Sequence, residues 1–149
     1  MGQLGGEASR EIDAPIDVLW PIVEDVATSP DWQTGLEELR VHDRDERGRV
    51  AVAETVSDTK VRPIRSVVRF DYEEPMRVSW RQEQGDLKSL EGEWQLEDLG
   101  GGRTRVTYRL AADPGRMLGL LIRGPVEERL REILVGGRPD ELAARAQAA

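Results

Sequence analysis

The run Leu90-Glu91-Gly92-Glu93-Trp94-Gln95-Leu96-Glu97-Asp98-Leu99-Gly100-Gly101-Gly102-Arg103-Thr104-Arg105-Val106-Thr107-Tyr108-Arg109-Leu110 decides the fold. Leu90, Gly92, Trp94 and Leu96 stand two apart, as do Thr104, Val106, Tyr108 and Leu110, with charged or polar residues between them. Alternation of period two marks a strand with one apolar and one wet face. The glycine triplet between the halves supplies a turn, so the run predicts an antiparallel hairpin.

The same period extends towards the N-terminus. Met76, Val78, Trp80 and Gln82 share one face of a strand, and Ile64, Ser66, Val68, Phe70 and Tyr72 share one face of another. Val50, Val52 and Val56 alternate with smaller residues, and Leu39 and Val41 begin a strand that ends in the charged turn 43–48. A further strand is predicted over Glu7 to Ala14. Between it and Leu39 lie two short helices. The first opens at Ile16, with Asp17 in its first turn, Leu19, Val23 and Val26 at helical spacing and Pro21 inside the pattern. The second is a single turn after Thr28-Ser29-Pro30-Asp31 that carries Trp32.

Beyond Gly115 the period becomes helical: Leu118, Ile122, Val126, Leu130 and Ile133 form one stripe. Gly124-Pro125 predicts a kink, because proline offers no amide donor and crowds the preceding turn. Gly136-Gly137-Arg138-Pro139 predicts a second break, with Asp140 to Ala146 a final helical piece.

This order implies an α+β domain: a curved antiparallel sheet of six or seven strands wrapped around a long C-terminal helix, with two short helices after strand 1. A twisted sheet of this size curls, and one amphipathic helix covers its concave face. A single helix rarely fills such a curl, so an apolar pocket is expected beneath it. The 149 residues suit one domain, placed at 7–147 behind a flexible glycine-rich segment 1–6.

Composition narrows the function. Net charge is −8, which opposes attraction to phosphate backbones, so no nucleic-acid partner is expected. The mid-chain arginines Arg62, Arg65, Arg69, Arg77 and Arg81 are read as partners of glutamates across the outer face of the sheet. Absence of cysteine excludes disulfides and thiolate metal sites, and no His/Asp/Glu spacing suits a metal. No secretory leader is read, Gly6 spoils a myristoylation start, and no apolar run reaches the roughly 20 residues of a membrane span. A cytoplasmic protein without cofactor or metal is the expectation.

Three segments resemble the START-like helix-grip (SRPBCC) superfamily, which includes polyketide cyclase/dehydrase-like and lipid-transport-like proteins. Ile12-Asp13-Ala14-Pro15-Ile16-Asp17-Val18-Leu19-Trp20 resembles its strand-to-helix passage. Asp25-Val26 to Pro30-Asp31-Trp32 resembles its aspartate, short helix and tryptophan. Leu90 to Leu96 with Gly102 to Tyr108 resembles its last two strands. The resemblance covers roughly residues 8–147. It implies a cavity for a lipid, an isoprenoid or quinone, or an aromatic polyketide.

The ligand-facing candidates are Trp32, Val52, Glu54, Ser66, Val68, Phe70, Trp80, Gln82, Trp94, Leu118 and Ile122. Indoles grip flat or isoprenoid surfaces and keep one donor for orientation. The same tryptophans serve equally as core fillers, and Trp20 is read as structural. Ser66 and Gln82 on apolar faces need partners, from ligand, water or backbone. Glu54, read on the valine face, would have a raised pKa if inward and would reach solvent if at an edge. His42, the only histidine, enters a charged turn and is read as exposed.

Catalysis is the alternative, with Glu54, Ser66 or Tyr72 placing protons on a polyketide-like substrate. The resemblance to cyclases implies an inward serine, an arginine two positions on, and a tyrosine after the short helix. Ser66 matches the first. Val68 stands in place of the arginine, and 36–41 holds no tyrosine. The catalytic set is not reproduced. A closed-core interaction module is the third reading. Met117 to Ile122, apolar all round, is read either as buried against the sheet or as a pocket lid that touches a membrane transiently or a partner. A homodimer is left open.

Overall fold

A computed structural model describes residues 4–59 and 62–148. Seven strands, β1 (Leu4–Ile12), β2 (Leu36–Arg44), β3 (Val50–Asp58), β4 (Pro63–Glu73), β5 (Arg77–Gly85), β6 (Ser89–Gly100) and β7 (Arg103–Asp113), form one antiparallel sheet. Its order is β1-β7-β6-β5-β4-β3-β2: a meander with the first strand returned to the edge of the last. The fold is helix-grip α+β, as expected. The sheet begins earlier than the expected boundary at residue 7, because Leu4, Gly5 and Gly6 pair with Ala112, Ala111 and Leu110. Residues 1–3 of the supposed flexible segment lie outside the described residues.

The decisive hairpin closes at 100–102, where all three glycines have positive φ (80°, 65° and 77°), a region closed to most L side chains. Its register sets Trp94 opposite Tyr108. On the next pair, Trp80 stands opposite Gly92. A Cβ at Gly92 would lie 2.6 Å from the Trp80 ring, so this glycine makes the room the indole occupies.

α1 (Ile16–Glu24) buries Leu19, Trp20 and Val23 and carries Pro21 within it. The helical turn expected to hold Trp32 is instead a 3-10 segment at Val26–Asp31 that ends just before this tryptophan. Glu–Arg pairing on the convex face follows the expectation: Arg69–Glu83 at 2.7 Å, Arg109 to Glu7 and Glu93, Arg105 to Glu11 and Glu97. Arg62, Arg65 and Arg77 also have carboxylate partners, while Arg81 has none among the described residues.

The C-terminal helical region departs most from expectation. α2 (Gly115–Leu121) ends at Ile122, and α3 (Pro125–Arg131) starts afresh with Pro125 in its first turn. Gly124 between them has φ 68°, so the predicted kink is a full break. The second predicted break does not occur. The chain winds through a π-turn at Glu132–Gly136 directly into α4 (Arg138–Ala148). The wide turn is closed by Gly137 N–H donating to Glu132 O at 2.9 Å. A wider turn accommodates Pro139, which lacks the amide for a regular bond and would crowd a tight one. The inward row is consequently Leu130, Leu134, Arg138 and Leu142, four apart and all buried. Val126, read as part of the stripe, is exposed. No helix among the described residues is long and apolar enough to cross a membrane.

Candidate functional site

The sheet's concave face meets α2 and α4 around a cavity of about 140 Å³. An engineered apolar cavity of about 150 Å³ holds one benzene, so this space takes a single ring without rearrangement. From the sheet, Ser66, Val68, Phe70, Trp80 and Trp94 line it. Leu118 and Ile122 line it from the segment that begins with α2. These seven expected residues are brought together. Trp80 lies 6.2 Å from Phe70 and 5.7 Å from Tyr108, and Trp94 meets Tyr108 edge-on at 4.7 Å between centroids.

The other four candidates lie elsewhere. Glu54 and Val52 belong to the convex side, because β3 presents Ala53, Thr55 and Ser57 beside Val68, Ser66 and Ile64 and turns Val52, Glu54 and Val56 the other way, while Val50 at its start is buried in the core. Val52 and Val56 stand opposite Arg69 and Arg65. Glu54 lies 3.5 Å from Arg65 and from His42, and 3.9 Å from Arg40. β3 carries small or apolar residues on both faces, and pairing with β2 and β4 decides which turns inward. His42 is exposed, as expected. Trp32 packs 5.8 Å behind Trp94 and does not border the cavity. Its Nε1 is buried without a partner among the described residues. Gln82 also stands back from the wall, and it satisfies Ser66: Ser66 Oγ donates to Gln82 Oε1 at 2.7 Å, and Gln82 Nε2 donates to Leu87 O at 2.9 Å.

Tyr72, the third proton-transfer candidate, is committed to structure. Its hydroxyl donates to Val50 O at 2.6 Å, with the Arg49 guanidinium 4.5 Å from the ring centre. Burial pushes its pKa far above the ordinary phenol value. Glu54, Ser66 and Tyr72 therefore do not converge on one reacting centre.

Sequence reasoning missed the polar groups that do border the cavity. Arg138 is 3% exposed. Its Nη1 donates to Thr34 O at 2.7 Å, Ile133 O at 3.3 Å and Glu141 Oε1 at 2.8 Å. Glu141 Oε2 in turn accepts the Thr34 amide at 2.9 Å. Gln33, buried, and Tyr108 complete this corner. Burial raises the Tyr108 pKa, against the lowering effect of the neighbouring guanidinium. A signal for Arg138 was present: it continues the four-residue spacing of Leu130 and Leu134. The Gly-Gly-Arg-Pro setting masked it as a loop. Among the described residues no cluster of three or more His, Asp or Glu could hold a metal.

A family model for polyketide cyclase/dehydrase and lipid transport proteins matches residues 5–146. The chain belongs to this family. Solved structures share the fold of this polyketide cyclase/dehydrase and lipid transport family member throughout its length. A protein of Thermus thermophilus superposes with a TM-score of 0.80 at 22% identity, covering 97% of both chains. A START superfamily protein from Mycobacterium smegmatis gives 0.73 at 19% identity, covering 98% of this chain and 94% of that one. The Zhui aromatase/cyclase of Streptomyces sp. R1128 gives 0.72 at 19% identity with the same coverage. At these identities the likeness concerns the fold. No curated protein matches the sequence.

Proposed function

We propose that this family member binds a hydrophobic small molecule, of the lipid, isoprenoid, quinone or aromatic polyketide kind, between the sheet and the C-terminal helices. One observation carries the reading: a cavity walled by Val68, Phe70, Trp80, Trp94, Leu118 and Ile122. Removing apolar ligand surface from water there would contribute about 25 cal/mol per Å² buried. A guest larger than one ring requires α2 to move outward. Gly115 (φ 81°) opens α2, Gly124 (φ 68°) follows shortly after Ile122, and Met117, Leu120 and Leu121 are exposed. Those three side chains suit passing contact with a lipid surface during loading, within a cytoplasmic setting. Native mass spectrometry of gently purified protein, with thermal shifts against lipids and aromatic polyketides, tests the reading. A co-purifying apolar guest or a raised Tm supports it; no guest and no shift across the panel refutes it. Catalysis is not favoured by any observed grouping of Glu54, Ser66 and Tyr72.

A further inference from the structure

We propose that the Arg138 corner is a carboxylate receptor, so that the guest is an apolar molecule ending in a carboxylate group. This rests on the cavity reading and names the chemistry of one end of its ligand.

Arg138 is the only charged side chain bordering the cavity among the described residues, whose wall is otherwise mostly apolar. A guanidinium has two working edges. The Nη1 side of Arg138 is fully engaged by Thr34 O, Ile133 O and the Glu141 carboxylate. The opposite edge pairs Nε–H with one Nη2–H, the fork that takes two carboxylate oxygens in parallel. On that edge Nε is buried with no hydrogen-bond partner among the described residues, and the guanidinium's further polar contact is a hydrogen bond to the Tyr108 hydroxyl. A buried donor without an acceptor is unfavourable, and buried polar atoms in native proteins almost always have one.

The groups around the fork can donate too. The Tyr108 hydroxyl accepts from the guanidinium, whose carbon lies 5.8 Å from the ring centre, and burial keeps the phenol's own proton available to a guest. Gln33, next in sequence to Thr34, borders the cavity, and its side-chain amide makes no hydrogen bond among the described residues. An acceptor-only group with two oxygens fits this set. A hydrocarbon end would leave the fork unsatisfied. Glu141 holds the guanidinium in place through Nη1 and leaves Nε without an acceptor.

The test uses three guests of matched size: benzoate, acetophenone and toluene, titrated into the full-length protein and followed by amide chemical shifts at neutral pH. Benzoate is expected to bind at least about tenfold tighter than acetophenone, the margin of a charge-assisted pair of bonds over a single neutral one. The Arg138 Nε–H resonance should move with benzoate and not with toluene. In Arg138→Lys, which retains charge without the fork, the preference for benzoate over acetophenone should disappear. If that variant does not fold, the guest comparison and the Nε–H resonance in the unaltered protein still decide. Equal affinities for benzoate and acetophenone would overturn the receptor and leave the apolar cavity standing. Binding of none of the three would bring down the cavity reading, and the receptor with it.

Discussion

Two glycine–proline interruptions divide the C-terminal region, and the chain treats them oppositely. At Gly124-Pro125 the helix stops: Gly124 turns to φ 68°, a Cβ there would meet nothing within 4 Å, and Pro125 opens a new helix. At Gly136-Gly137-Arg138-Pro139 the helix continues through a π-turn, with Gly137 at φ −84°. A Cβ at Gly136 would come within 2.4 Å of the Glu132 carboxylate. The first interruption lies in open space and sets α2 off from the helix that follows. The second is packed against the core, and its wide turn continues the inward row through Arg138. Similar composition therefore yields a full break where surroundings are absent and a continuous helix where burial holds the backbone.

Substitutions on the two sides should separate these roles. The largest effect is expected at Arg138→Leu, which strands the Thr34 and Ile133 carbonyls and the Glu141 carboxylate. Chemical denaturation should show a loss of about 3 kcal/mol, the scale for breaking a buried ion pair. Leu142→Ala, at a fully buried position of α4, should cost a comparable amount, about 3 kcal/mol. Next comes Gly124→Ala, which forces a side chain into a backbone region that L residues avoid, at about 2 kcal/mol in the same measurement.

Leu118→Ala should cost less than its counterpart Leu142→Ala, about 1 kcal/mol, since Leu118 borders a space already empty. Equal losses at 118 and 142 would mean that α2 is as integral to the core as α4. The smallest effect belongs to Gly136→Ala, within about 0.5 kcal/mol. The Glu132 carboxylate can swing away, and alanine favours the helix. A large loss there would show that the π-turn depends on glycine itself, and not on the packing around it.

The sheet was legible because period two recurs in strand after strand with charged residues on the other face. Trp80, Trp94, Phe70, Val68 and Ser66 reached the cavity wall for that reason. β3 was misread beyond Val50, which does lie in the core, because Val52 and Val56 are the larger residues and size suggested the inner face. On the convex side Val52 and Val56 stand opposite Arg69 and Arg65, whose stems shield apolar neighbours well. Trp32 escaped the wall because the chain folds it behind Trp94. Arg138 escaped notice because a charged residue between glycine and proline suggests solvent.

Local alternation and helical spacing, both readable along the chain, determined that six or seven strands would curl over an amphipathic helix and leave an apolar hollow. Each strand's wet face and each glycine turn is a local preference, expressed within a few residues. The inward face of β3, the survival of the helix through Pro139 and the polar corner at Arg138 were decided only in three dimensions. Those outcomes depend on which distant groups, among them Thr34, Tyr108 and Arg69, arrive beside a residue, and no short-range pattern carries that information.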